Sequence, residues 1–109
     1  MVDPGIELIV KKYLNLLAES GIRVDRAFLY GSCARGGSLD SSDIDLMLVS
    51  DIFDTDDDMV LSKPWLYTVK VDHRIEPVSV GSRRFDNDSE SPLIGIVKKE
   101  GIQISLTPQ

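Results

Sequence analysis

The chain has 109 residues, 42% of them hydrophobic, and a formal net charge of −6. That length predicts one domain, residues 1–109, around one core. The acidic balance excludes a broad nucleic-acid-binding surface, which would carry a basic patch, and no apolar run approaches the ~20 residues of a membrane span. One cysteine, Cys33, and one histidine, His73, exclude an internal disulfide and a multi-cysteine or histidine-rich metal site. The first residues lack the basic-then-apolar pattern of a signal peptide, which points to the cytoplasm.

In chain order, Asp3 can cap a first helix with Pro4 at its first position, and Ile6, Ile9, Val10, Tyr13, Leu14 and Leu17 fall on one helical face before Gly21 stops it. The apolar run Ala27–Tyr30 predicts a buried strand ending at Gly31. A sharp turn follows from Ser32 to Gly37, with one turn of helix at Ser32–Arg35, and Asp40, Ser41 and Ser42 form a polar bend. From Asp43 to Val49 the alternation places Asp43 and Asp45 on one strand face and Ile44, Leu46 and Leu48 on the other, buried one. Asp51, Asp54, Asp56, Asp57 and Asp58 read as a solvated loop with a short helix, closed by Pro64. A long strand is predicted from Leu66 to about Val80, rich in β-branched residues. Ser82–Glu90 is polar and reads as loop. Ser91 and Pro92 open a second helix with Leu93, Ile94 and Val97 on its apolar face and Gly101 at its end, and Ile102–Leu106 predicts a terminal strand. The order helix, strand, turn, strand, strand, helix, strand predicts an α/β (α+β) fold, with helices packed on a mixed sheet.

Chemistry concentrates between Leu29 and Leu46. Gly31 has no Cβ, so backbone there can approach a ligand closely. Amides after it at a helix start can face phosphate oxygens, the Ser32 hydroxyl adds a donor, and Arg35 adds positive charge. Asp43 and Asp45 share a strand face, where two carboxylates repel unless a cation lies between them. Mg²⁺ takes a few carboxylates together with triphosphate oxygens and water.

Gly31-Ser32, ten residues, then Asp43-Ile44-Asp45 resembles the signature of the DNA polymerase β-type nucleotidyltransferase superfamily. The form Gly-Ser-x-Ala-Arg-Gly with Ser-Asp-Ile-Asp-Leu resembles most its minimal nucleotidyltransferase branch. The motif covers residues 29–49, and the order of elements extends the resemblance over most of the chain. It implies two Mg²⁺ ions, replaceable by Mn²⁺, held by Asp43, Asp45 and a third carboxylate, with Gly31, Ser32 and Arg35 at the nucleotide. In Val71-Asp72-His73-Arg74-Ile75-Glu76-Pro77 the strand parity puts Asp72, Arg74 and Glu76 on one face. The pattern resembles the third-carboxylate strand of DNA polymerase β, which selects Asp72, with Glu76 in reserve. Arg74 is a charge partner or a phosphate contact.

The resemblance further implies transfer of a nucleoside monophosphate, AMP above all, from ATP to a hydroxyl. Members of that branch act as antitoxins beside a small helical partner of the HEPN type. The alternative is a catalytically silent module that neutralises its partner by contact. Modification of a small molecule such as an aminoglycoside would need a substrate domain that this sequence does not offer. His73 and Cys33 are expected to be incidental, Trp65 to pack in a core or interface, and Arg83 and Arg84 to form a surface pair. Oligomeric state is left open.

Overall fold

Asp3 caps the first helix, α1 (Pro4–Glu19), its Oδ1 accepting from the Gly5 and Ile6 N–H groups at 2.7 and 3.3 Å, in a computed structural model that describes residues 2–34 and 43–106. Its stripe of Ile6, Val10, Tyr13, Leu14 and Leu17 is buried. The helix stops where Gly21 turns to φ 86°, a left-handed conformation that glycine adopts without a Cβ penalty.

Strand β1 (Arg26–Tyr30) runs into a 3-10 turn, Gly31–Cys33, and β2 (Ile44–Ser50) returns antiparallel to it. After a 3-10 turn at Asp51–Phe53, helix α2 (Asp58–Ser62) leads directly into a 3-10 helix, Lys63–Lys70. Strand β3 (Ile75–Gly81) then pairs parallel to β2. Helices α3 (Ser82–Asn87) and α4 (Pro92–Glu100) follow, and β4 (Ile102–Ile104) pairs antiparallel to β1. The sheet is four-stranded and mixed, in the order β3-β2-β1-β4. The predicted α/β class and both capped helices are found; at α4 the Ser91 hydroxyl accepts from the Ile94 N–H at 3.2 Å.

Both faces of the sheet are covered. Ala27 and Leu29 of β1 and Ile44, Leu46 and Leu48 of β2 pack with α1. Met47 and Val49 look the other way, with Tyr30 and Val80, onto Phe85 of α3 and Ile94 and Val97 of α4. The expected single buried face of β2 is therefore corrected: beyond Asp45 every residue of the strand is buried, as befits a central strand between two helical layers.

The long strand predicted from Leu66 is a second correction. Pro64 opens the 3-10 helix rather than ending one, and the Tyr13 hydroxyl of α1 donates to its carbonyl at 2.6 Å. At the far end the Val71 and Asp72 N–H groups both turn back to the Thr68 carbonyl, at 3.0 and 2.8 Å. Those bonds hold the segment helical, and strand begins only at Ile75. A third correction is α3, expected as loop. One aromatic anchors this polar helix: Phe85 is buried, stacks on Phe28 with centroids 5.0 Å apart, and carries the Arg26 guanidinium 4.9 Å above its ring. The aspartates of the acidic stretch are exposed as expected, and Asp57 caps α2 through the Met59 N–H. No helix among the described residues is long and apolar enough to cross a membrane.

Candidate functional site

Parallel pairing of β2 with β3 sets two equivalent triplets side by side. Ile44 lies opposite Ile75, Asp45 opposite Glu76 and Leu46 opposite Pro77. On the other side, Tyr30 lies opposite Asp45 across the β1–β2 ladder. Paired residues share a face of the sheet, so Tyr30, Asp45 and Glu76 form one row near the start of β2. Asp43 stands just before the strand, exposed, where the Ile44 N–H donates to the Arg74 carbonyl at 2.9 Å.

The turn after β1 closes against this row. Gly31 has φ 76°, and a Cβ added there would lie 2.5 Å from Asp45 Oδ2. Only glycine lets the turn and the carboxylate occupy this space. Ser32, next along, is exposed. Cys33 is not incidental: it is buried, and its thiol donates to the Asp43 carbonyl at 3.4 Å, tying the end of the turn to the base of the acidic row.

The carboxylates act on one another. Burial raises the Asp45 carboxyl above its ordinary range, and the charge of Asp43 raises it further. Glu76 is raised by desolvation, then by a side-chain hydrogen bond with Asp43, then by the charges of Asp43 and Asp45. Tyr30 is pushed up to about 12, by burial first and then by Asp45 and Glu76, so its hydroxyl stays protonated. Crowded carboxylates retain a proton or bind a cation, because only then is their repulsion relieved. Among the described residues no group of three His, Cys, Asp or Glu side chains is gathered tightly enough to hold a metal ion as it stands. The donor set of the row, carboxylate oxygens only, suits a hard cation such as Mg²⁺.

Asp72 lies elsewhere. It precedes β3, so the strand parity expected to align it with Glu76 does not reach it. Its Oδ1 accepts from the backbone N–H of Arg74 at 2.9 Å and from Nε at 3.1 Å, and its Oδ2 accepts from Nη2 at 2.9 Å. These side-chain bonds hold the Asp72 carboxyl below its usual range. The guanidinium so fixed is close enough to Cys33 to favour its thiolate, against a larger burial effect that raises it. Arg74 thus adds positive charge beside the Gly31–Cys33 turn.

The register that sets Glu76 opposite Asp45 has a trace in the sequence: Ile75-Glu76-Pro77 repeats the apolar–acid–apolar order of Ile44-Asp45-Leu46. Arg35, the rest of the predicted turn to Gly37 and the bend at Asp40–Ser42 lie outside the described residues. His73 is exposed in the turn before β3, and Trp65 is half-exposed rather than core. Arg83 and Arg84 are exposed as expected, and line a cleft of about 460 Å³ with Asp54 and Asp56. That cleft includes Gly81, the last residue of β3, and so lies at the opposite end of the strand from Glu76.

Comparison with known proteins agrees with this geometry. The model of the nucleotidyltransferase domain family matches residues 10–89, a span that takes in the Gly31 turn, β2 and β3. No curated protein sequence matches the chain. Among solved structures, a Sulfolobus solfataricus protein with a provisional nucleotidyltransferase assignment is similar at a TM-score of 0.62 and 18% identity, over 90% of this chain and 78% of its own. A toxin–antitoxin structure with AMP-PNP is similar at a TM-score of 0.61 and 22% identity, over 94% of this chain and 75% of its own. At these identities the two share the fold.

Proposed function

We propose, from the premise that this chain belongs to the nucleotidyltransferase domain family, that it transfers a nucleoside monophosphate, AMP above all, from a triphosphate to a hydroxyl of a partner protein. The observation that carries this is the row of Asp43, Asp45 and Glu76 packed against Gly31, a glycine whose missing side chain is what admits Asp45.

In this reading Glu76, rather than Asp72, is the third carboxylate, and Asp43, Asp45 and Glu76 would hold Mg²⁺. When bound, the ion would stabilise the acceptor alkoxide and the charge gathering on the leaving pyrophosphate. The backbone after Gly31 and the Ser32 hydroxyl would bind the β and γ phosphates, with Arg35 as a further contact. Asp72 would hold Arg74 so that its charge faces the same phosphates. The acceptor oxygen attacks the α-phosphorus as the bond to the β-phosphate oxygen breaks. The acceptor proton passes to the carboxylate row, and pyrophosphate leaves with the bonding pair. Positioning and charge neutralisation supply most of the acceleration, as in phosphoryl transfer generally.

The structural likeness to a toxin–antitoxin assembly with AMP-PNP supports both a nucleotide and a protein partner. We propose a HEPN-type helical protein as that partner, and an antitoxin role for this chain. Calorimetric titration of ATP with Mg²⁺ tests the site. Wild type binds in a metal-dependent manner and Asp43→Asn/Asp45→Asn does not. Well-folded wild type that binds none of the four ribonucleoside triphosphates overturns the proposal. A partner silenced equally well by the double variant shifts the function to contact alone.

A further inference from the structure

We propose that the outward ridge of Met59, Lys63, Leu66 and Val69 is the docking surface for the protein acceptor, and that the acceptor meets it with an apolar surface bordered by carboxylates; this rests on the protein-acceptor reading above. Met59, Leu66 and Val69 are 81%, 69% and 77% exposed. From 59 to 63 is one α-helical step of four, and in the 3-10 helix that follows residues three apart eclipse, so the four side chains form one line. The inner side of the same segment is committed to the fold: Val60, Leu61, Tyr67 and Val71 pack on the core, and Pro64 and Thr68 are buried. Trp65, 47% exposed, flanks the line. The other exposed large apolar side chains, Leu8, Ile52 and Ile96, stand singly on separate elements among the described residues. Scattered apolar residues need no explanation, whereas a contiguous set marks an interaction site.

Charge identifies the occupant. Between Asp58 and Asp72 the only charged side chains are Lys63 and Lys70, in a chain whose net charge is −6. Neither lysine is in an ion pair among the described residues, and Lys70 reaches only over the Tyr67 ring at 5.8 Å. An apolar line with a free cation within it and another at its end complements an apolar surface edged by Asp or Glu. Two lysines are too few to hold a nucleic-acid backbone.

Size and place fit an acceptor. The helical segment is roughly 23 Å long and about 10 Å across, a footprint at the small end of interfaces, where transient complexes lie. An enzyme that must release its modified acceptor needs contact of that kind. Val69 precedes Glu76 by seven residues, which bounds their separation at about 25 Å. On the way the Val71 and Asp72 N–H groups turn back to the Thr68 carbonyl, which shortens the distance further.

The test is transfer of label from [α-³²P]ATP with Mg²⁺ to protein in a nuclease-treated extract of the source cells, with Mg²⁺–ATP calorimetry and thermal melting run on every variant. Leu66→Asp/Val69→Asp keeps wild-type ATP affinity and loses at least tenfold in protein labelling, and Leu66→Ser/Val69→Ser does the same should the aspartates lower the melting temperature. Lys63→Glu/Lys70→Glu loses several-fold, and its labelling no longer falls as salt is raised. Leu8→Asp labels like wild type. Wild-type labelling by the ridge variants overturns the docking surface and leaves the transferase reading standing. A wild type that binds Mg²⁺–ATP yet labels no protein, or labels only nucleic acid when nuclease is omitted, overturns the protein acceptor and the docking surface together.

Discussion

Two glycines make a matched pair for testing the site. Gly21 and Gly31 have φ of 86° and 76°, and alanine in this left-handed region costs about 1–2 kcal/mol at either position. At about 4–8 °C per kcal/mol for a domain of this size, both variants should melt roughly 4–16 °C below wild type. Their surroundings differ. A Cβ on Gly21 meets nothing within 4 Å, whereas on Gly31 it stands 2.5 Å from Asp45 Oδ2 and ordinary contact begins at 3.4 Å. The carboxylate, being the free end of a side chain, must move by the difference, 0.9 Å. A displacement of about 1 Å at a reacting group costs on the order of a hundredfold in rate. Gly31→Ala should therefore be folded but about a hundredfold slower in nucleotidyl transfer and weaker in Mg²⁺–ATP binding, and Gly21→Ala should lose stability alone. Thermal melting with transfer kinetics on the two proteins decides it. Equal activity in both would show that the closeness of Gly31 to Asp45 has no bearing on the reaction.

Glu76→Gln should lower transfer by about a hundredfold or more, since it removes charge from the row itself. Asp72→Asn, which only loosens Arg74, should cost about tenfold; the reverse ranking in steady-state kinetics would return Asp72 to the metal set. The raised Asp45 and Glu76 carboxyls hold protons more tightly folded than unfolded. Metal-free stability is then fully present below the ordinary carboxylate range near ~4 and is lost as pH rises through the raised values. Asp72 and Asp88, whose values are lowered, act oppositely and only as pH falls below that range. Melting temperatures of metal-free protein should therefore decline as pH rises above the ordinary carboxylate range, with Mg²⁺ restoring them at pH 7 and Glu76→Gln flattening the profile; an unchanged profile in that variant would refute the linkage. Tyr13→Phe strands the Pro64 carbonyl that now accepts at 2.6 Å, at a cost of about 1–3 kcal/mol. Hydrogen exchange should quicken first at the Val71 and Asp72 amides, and uniform quickening would argue against a local tie.

The elements that were legible in the sequence are those whose local signals agree with their burial. For α1 and α4, the cap, the proline and the apolar stripe all mark the same boundaries. The paired motif likewise singled out Gly31 and Asp45, which the fold does bring together, because glycine after a buried strand and carboxylates two apart each carry a physical reason. Where tertiary contacts decide, the sequence was silent. Thr68, Val69 and Val71 favour strand by propensity, yet Tyr13 from α1 and the Thr68 carbonyl hold that stretch as 3-10 helix. α3 depends on Phe85 meeting Phe28, a contact no local pattern announces. The parity that placed Asp72 beside Glu76 fails for the first of these reasons: it is only as good as the strand it counts along, and this strand starts at Ile75.

The parallel pairing of β2 and β3 has a consequence for when the protein becomes competent. Asp43 and Asp45 are translated well before Glu76, and the intervening segment must be laid down as helix before β3 can return beside β2. Such crossover pairings form late, because loop closure comes before any ladder bond offsets it. A ribosome-bound chain that ends with β2 carries both aspartates with Tyr30 on one side of Asp45 and the β3 side, where Glu76 belongs, still open. If the proposed carboxylate set is the active one, competence arrives only once β3 has been made and paired, and a shorter chain would have no means of transfer.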